Sequence, residues 1–378
     1  MRIAYVTDYD ATNIRNWSGT GYYIQKSIFE KGADIQCIGN LKIKRYLYQK
    51  IKEKGYKYLL NKKYFIDRNP YVIKDFAQQI SKRLPVNTDV LVGPSSIPFA
   101  KMKSNIPIVF WTDAVFKNMV DFYPEFSNLC KESIIDGHEM EKASLENATI
   151  AVYSSDWAAE SAVKYYDISP EKIKVVPYGA NLDHNSTLET IKARIHAKSR
   201  SECNLLFIGV HWIRKGGDKA IEITKYLNEN GLKTELSVVG TLPENINSAP
   251  DFVKYYGFIS KETDAGKKLL TDLISKAHFL ILPTIADCTP IVFSEFNSYG
   301  IPVITTNVGG IPSVVKDNVN GKKFSLDSTP ELYGNYIISM IENHKMYTHF
   351  ALSAYDYFLK ELNWDVSIDK FLKILKEL

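Results

Sequence analysis

The stretch Phe279-Leu280-Ile281-Leu282-Pro283-Thr284-Ile285-Ala286-Asp287-Cys288-Thr289-Pro290-Ile291-Val292-Phe293-Ser294-Glu295 reads as a strand, a loop and the start of a helix. Phe279–Leu282 is apolar throughout, the pattern of a strand covered on both faces. Thr289-Pro290 predicts an N-cap followed by proline at the first helical position, where its missing N–H is no loss and its φ already suits the helix. Working outward, the same alternation recurs. Strand-like runs are Ile3–Val6, Asp89–Val92, Pro107–Trp111, Thr149–Tyr153 and Lys174–Pro177, then Asn204–Ile208, Glu235–Val239 and Pro302–Thr305. Helical patterns cover Tyr22–Glu30, Asp218–Asn230 and Pro290–Tyr299. Such alternation predicts parallel sheets with helices on both faces. The series restarts near Asn204 after a polar stretch, Asn181 to Glu202, that includes His184 and Asn185 and reads as an interdomain connection with a short helix. The expected fold class is therefore α/β, two tandem doubly wound Rossmann-like domains, with ligands beyond the carboxyl ends of the strands.

Composition agrees. A chain of 378 residues accommodates two domains, and 45% hydrophobic with 24% charged residues excludes a disordered chain. The net charge of +4 is too mild for a nucleic-acid binder, so no nucleic-acid partner is expected. Cys37, Cys130, Cys203 and Cys288 form no CxxC pair, so neither structural zinc nor a disulfide framework is expected, and a cytoplasmic location is. MRIAYVTDYD reads as a first strand and not as a signal peptide, and no run is long and apolar enough to predict a membrane-spanning helix. One segment departs from the average. Lys42–Lys63 holds nine basic residues against Glu53 alone, a net +8, with Leu41, Leu47, Ile51 and Tyr58 at helical spacing. It reads either as a peripheral anchor on an anionic membrane or as a solvated helix with its apolar stripe on the core.

Three stretches carry candidate chemistry. Trp17-Ser18-Gly19-Thr20-Gly21 follows the first strand. Gly19 and Gly21 allow either a close backbone approach to a phosphate or sugar, or simply a tight turn. Ile24 stands where a dinucleotide fingerprint needs glycine, which argues against an NAD enzyme. Gly209-Val210-His211-Trp212-Ile213-Arg214-Lys215-Gly216-Gly217 pairs two cations with a helix start, which reads either as a diphosphate clamp or as ordinary surface cations, and lacks the P-loop pattern. The third is the opening stretch, where Asp287 and Glu295 flank a helix N-terminus suited to hold a diphosphate and accept sugar hydroxyls.

This third stretch resembles the E-x7-E motif of retaining glycosyltransferases of the GT-B fold, glycosyltransferase family four. Gly300-Ile301-Pro302-Val303-Ile304 and Gly309-Gly310-Ile311-Pro312 are similar to the continuation of that motif, as Val175-Val176-Pro177-Tyr178-Gly179-Ala180-Asn181 is to the close of the N-terminal domain. The resemblance implies a nucleotide-sugar-binding domain over 200–354. It implies an acceptor-binding domain over 1–182, with 355–378 crossing back onto it and the two facing across a cleft.

It further implies a metal-independent, retaining hexosyltransferase with a UDP- or GDP-linked donor and a glycan or glycolipid acceptor, in polysaccharide biosynthesis, with no cofactor. Asp287, Glu295, Lys215, Arg214 and Asp113 would be the catalytic set. Gly19, Gly21, Gly209, His211, Cys288, Thr289, Pro290, Ile291 and Val292 would line the donor. Three positions depart from the family. Asp287 stands for glutamate, Val210 falls where the family has arginine, and Asp113 falls where it has histidine. A non-catalytic nucleotide-sugar sensor, or an epimerase on the same fold, is the alternative that these departures keep open.

Overall fold

The computed structural model describes residues 1–183, 186–240, 250–260 and 263–378. His184 and Asn185 of the expected connection lie outside the described residues. The chain forms two compact units, Met1–Tyr178 with Trp364–Leu378, and Gly179–Asn363. No helix among the described residues is long and apolar enough to cross a membrane.

The first unit is built on six strands, β1 (Arg2–Val6), β2 (Asp34–Ile38), β3 (Val90–Gly93), β4 (Ile108–Thr112), β5 (Ile150–Tyr153) and β6 (Ile173–Val175). Their order is β2-β1-β3-β4-β5-β6 and every pairing is parallel. The four central strands match the sequence reading to within a residue or two. β2, Asp-Ile-Gln-Cys-Ile, went unpredicted because it is an edge strand with mostly exposed residues and no apolar run.

The last helix, Trp364–Lys376, completes this unit. Trp364, Ile368, Phe371 and Leu375 form one helical stripe, and all four are buried. Phe371 stacks on Trp111 of β4 at 4.8 Å between ring centroids, and Trp364 meets the same indole edge-on at 5.8 Å. The buried Trp111 N–H donates to Val176 O at 2.9 Å, so the ring carries no unmet polar group. Outside this apolar seam Lys31 bridges Asp365 and Asp369 at 3.1 and 3.0 Å.

The second unit has β7 (Glu202–Gly209), β8 (Lys233–Gly240), β9 (Val253–Gly257), β10 (Phe279–Leu282), β11 (Val303–Thr306) and β12 (Gly321–Phe324), in the order β12-β11-β10-β7-β8-β9. All pairings are parallel. The strand sequence reverses direction between β7 and β10, the switch point at which doubly wound sheets open a crevice at their carboxyl ends. The stretch after Asn181 is not a free connection. Its helix, Leu188–Ala197, puts Ile191 and Ile195 into the second core, and Tyr355 and Phe358 lie in that core too. The chain thus re-enters the first unit at Trp364 and not at 355.

Phe371→Ala is expected to destabilise the first unit by about 3–5 kcal/mol, the usual cost of emptying a buried phenylalanine site. Urea unfolding followed by tryptophan fluorescence checks this, since Trp111 and Trp364 report on the seam. Unchanged midpoints would remove the helix from the core.

Candidate functional site

The two loops at the switch point of the second sheet are the ones that carry the sequence motifs. After β7, the chain makes the short helix Trp212–Lys215 and turns at Gly216 into the helix Gly217–Glu229. After β10, it runs through Pro283–Pro290 into the helix Ile291–Asn297. The loops cross in backbone contact. A Cβ on Gly216 would lie 2.1 Å from Pro283 O, and its φ of +78° is one that side-chain-bearing residues avoid. Gly209 serves the same crossing, because a Cβ there would press into the Lys215 stem at 2.9 Å from Cγ.

The crossing delivers Lys215 to Asp287. Lys215 Nζ donates to Asp287 Oδ2 at 2.5 Å, and Arg214 stands 3.5 Å from the same oxygen. The Arg214 guanidinium also donates to Ala286 O at 2.7 Å. All three side chains are largely buried, and the trio carries a formal charge of +1. The sequence reading kept these charges apart, with Lys215 on a phosphate and Asp287 on sugar hydroxyls. The structure pairs them, so Asp287 also orients the cations.

A residue to which the sequence reading gave no role holds this arrangement. Thr284, fully buried, donates its hydroxyl proton to Arg214 O at 2.8 Å, and its oxygen lies 3.3 Å from Asp287 Oδ2. Ile285 N donates to the same Arg214 carbonyl at 2.9 Å. Thr306 in turn donates to Thr284 O, and Thr305 to Leu282 O at 2.8 Å. The available signal was a threonine ending an apolar strand and a Thr-Thr pair ending the next, where unpaired carbonyls need donors.

The helix after β10 begins one residue later than predicted. Pro290 is its cap, with extended backbone (φ −64°, ψ 112°), and Ile291 is the first helical residue. The reason is local: Pro290 O accepts from Phe293 N at 3.1 Å, closing a tight first turn. Pro290 supplies no N–H, whereas those of Ile291 and Val292 have no carbonyl to reach within the helix. Glu295 (8% exposed), Asp287 (6%) and Thr289 (9%) sit at or just before this helix, with Cys288 buried beside them. The far end is fixed by a buried amide pair. Asn320 Nδ2 donates to Asn297 Oδ1 at 2.7 Å, and Asn297 Nδ2 to Ile301 O at 3.1 Å. The loop after β11 also reaches the site, Gly310 N donating to Asp287 O at 3.3 Å. His211 is exposed, its carbonyl accepting from Lys215 N at 2.9 Å.

The remaining candidates belong to the first unit. Trp17, Ser18 and Gly19 are consecutive left-handed residues (φ 47°, 53° and 85°) leading into the helix Thr20–Glu30. Such backbone in two non-glycine residues is strained. Gly21 serves packing: a Cβ would meet the Tyr9 hydroxyl at 2.2 Å. Asp113 follows β4, half-buried, at the carboxyl end of the first sheet. No group of three or more histidine, cysteine, aspartate or glutamate side chains that could hold a metal ion forms among the described residues.

Residues 202–343 match the family model described as Glycosyl transferases group 1. An uncharacterized 41.2 kDa protein in the cps region of Klebsiella pneumoniae is 25% identical over 183 residues, 48% of either chain. A UDP-Gal:α-D-GlcNAc-diphosphoundecaprenol α-1,3-galactosyltransferase of Escherichia coli is 23% identical over 43% of either chain. The chain spans about half the length of the curated relatives it matches. Among solved structures, a glycosyltransferase of Rickettsia africae superposes with a TM-score of 0.68 over 100% of this chain and 98% of its own, at 16% identity. The Anabaena protein HepE in complex with UDP and glucose gives 0.65 over the whole of both chains, at 13% identity.

Gly216→Ala is expected to lower stability by clearly more than Gly231→Ala. Both have a positive φ, whose strain costs about 1–2 kcal/mol, but a Cβ at Gly231 meets nothing within 4 Å. Parallel urea titrations measure the difference. Equal losses would show that the loop crossing tolerates separation.

Proposed function

Taking as premise that the chain has the GT-B fold and carries a group 1 glycosyltransferase domain, we propose that it transfers a hexosyl group from a nucleotide-diphospho sugar to a glycan or lipid-linked acceptor, with retention of configuration. The observation that carries this reading is the buried Arg214–Lys215–Asp287 cluster at the switch point of the second sheet, beside the first turn of the Glu295 helix. Cations next to unpaired N–H groups suit a diphosphate, and two buried carboxylates suit sugar hydroxyls, as acceptors of their hydrogen bonds. UDP is the first base to test, because the Escherichia coli relative is named for UDP-Gal and HepE was solved with UDP.

In this reading the donor's anomeric C–O bond to the diphosphate breaks as the acceptor oxygen bonds to the same carbon. The acceptor proton passes to an oxygen of the leaving phosphate. Negative charge grows on that phosphate in the transition state, so groups fixed around it lower the barrier. Lys215 neutralises it as a point charge, Arg214 as a planar fork, and the N–H groups of Ile291 and Val292 add hydrogen bonds. Asp287 contacts donor hydroxyls and keeps Lys215 aimed. Glu295 accepts from the ribose hydroxyls. We assign the acceptor to the first unit, where Asp113 offers a carboxylate at the carboxyl end of the sheet. The chain's own cations supply the counter-charge, so transfer is expected to survive EDTA.

Melting curves with UDP, GDP and ADP, each free and sugar-linked, test donor binding. A ligand at 100 times its Kd should stabilise the chain by about 2.7 kcal/mol. The expected result is a shift with one nucleotide, lost or weakened at least about tenfold in Kd, which is about 1.4 kcal/mol, in Lys215→Ala and Glu295→Ala. Transfer of labelled sugar to a lipid-linked acceptor extract then follows for the nucleotide found. No shift with any donor would refute the reading. Binding without turnover would leave a sensor.

A further inference from the structure

The helix Tyr46–Leu60 is packed the wrong way round for a soluble amphipathic helix. At about 100° per residue, Leu47, Ile51, Lys54 and Tyr58 share one face, and Gln49, Lys52, Glu53 and Tyr56 share the opposite one. The apolar face is the solvent face: Leu47 is 74% exposed, Ile51 62% and Tyr58 73%. The end of the helix adds Leu59 and Leu60, also exposed. The polar face is the docked one. Gln49 is its only fully buried side chain, accepting from Tyr64 Oη at 3.2 Å. Tyr56 Oη donates to Glu132 at 2.8 Å, Lys52 Nζ donates to the same carboxylate, and the Tyr56 and Tyr64 rings stack at 5.3 Å.

This packing sets aside one reading of the basic segment, the one in which its apolar stripe rests on the core. A stripe of this size left in water costs stability unless something covers it. Charge says what does. The stripe lies in the Lys42–Lys63 segment of net +8. Lys54 sits within the apolar face and Lys57 beside it, and neither has an acidic partner within ion-pair distance among the described residues. Leucine and isoleucine between lysines, with tyrosines at the margin, match a lipid interface: hydrocarbon below, anionic head groups around, and long lysine stems that reach up to them.

We propose that the helix Tyr46–Leu60 docks this face onto an anionic lipid surface, with Leu47, Ile51 and Tyr58 entering the head-group region and Lys54 and Lys57 contacting phosphates. The proposal stands on this helix alone and not on the transfer reaction. The experiment is co-sedimentation of the full chain with vesicles of phosphatidylcholine, with and without phosphatidylglycerol, at low and high salt. Wild type is expected to pellet with the anionic vesicles and to be released by salt. The pairs Leu47→Ser with Ile51→Ser, and Lys54→Glu with Lys57→Glu, are each expected to lower partitioning at least about tenfold. Both pairs alter exposed positions, so unchanged melting temperatures separate lost docking from lost folding. Equal pelleting with neutral vesicles, or indifference to both pairs, overturns the proposal. So does a wild-type dimer in light scattering that Leu47→Ser with Ile51→Ser converts to monomer without any lipid binding, since a second copy would then be the occupant.

Discussion

The contact between Gly216 and the carbonyl of Pro283 is the constraint on which the second unit's site depends. It sets two loops, more than sixty residues apart in sequence, at backbone distance, and that closeness lets Lys215 reach Asp287. Thr284 and Ile285 then bind the Arg214 carbonyl, so the crossing is fastened by hydrogen bonds as well as by shape. A buried cation without a partner is costly, and a buried carboxylate likewise. Here each charge makes the other tolerable, and together they hold a positive site at the end of the sheet.

Topology explains why these two loops meet. Both sheets are parallel throughout, so every strand delivers its following loop to the same end. In the second sheet it is between β7 and β10 that successive connections depart in opposite directions. The motif-bearing loops are the two that border this gap. The family match over 202–343 covers that gap, which ties the matched sequence to the place where a doubly wound sheet can receive a ligand.

Two helices of the first unit show how one pattern can have opposite outcomes. Trp364, Ile368, Phe371 and Leu375 have the spacing of Leu47, Ile51, Lys54 and Tyr58. The first set is buried, with Trp364 and Phe371 against Trp111, while the second faces solvent and its helix is held by Gln49, Lys52 and Tyr56. Periodicity says that a helix has an apolar face. Which way that face turns depends on what the opposite face can bind, and Glu132 lies 76 residues from Tyr56 in the chain.

The sequence by itself determined the α/β class, the tandem repetition, the central strands and the stretches holding the candidate site, because buried parallel strands are apolar without interruption and glycine, proline and charge mark the turns between them. It left out the edge strands β2, β9 and β12, whose mostly exposed or half-exposed residues carry no apolar run. It placed the return to the first unit too early, since Tyr355 and Phe358 are as apolar as the residues beyond Trp364 and only packing assigns them to the second core. Tertiary structure alone decided that Asp287 is paired with Lys215, that Thr284 anchors both loops, and that the stripe of Tyr46–Leu60 points outward. Each of these depends on contacts between residues distant in the chain, and a linear pattern encodes the chemistry of such residues without fixing which of them meet.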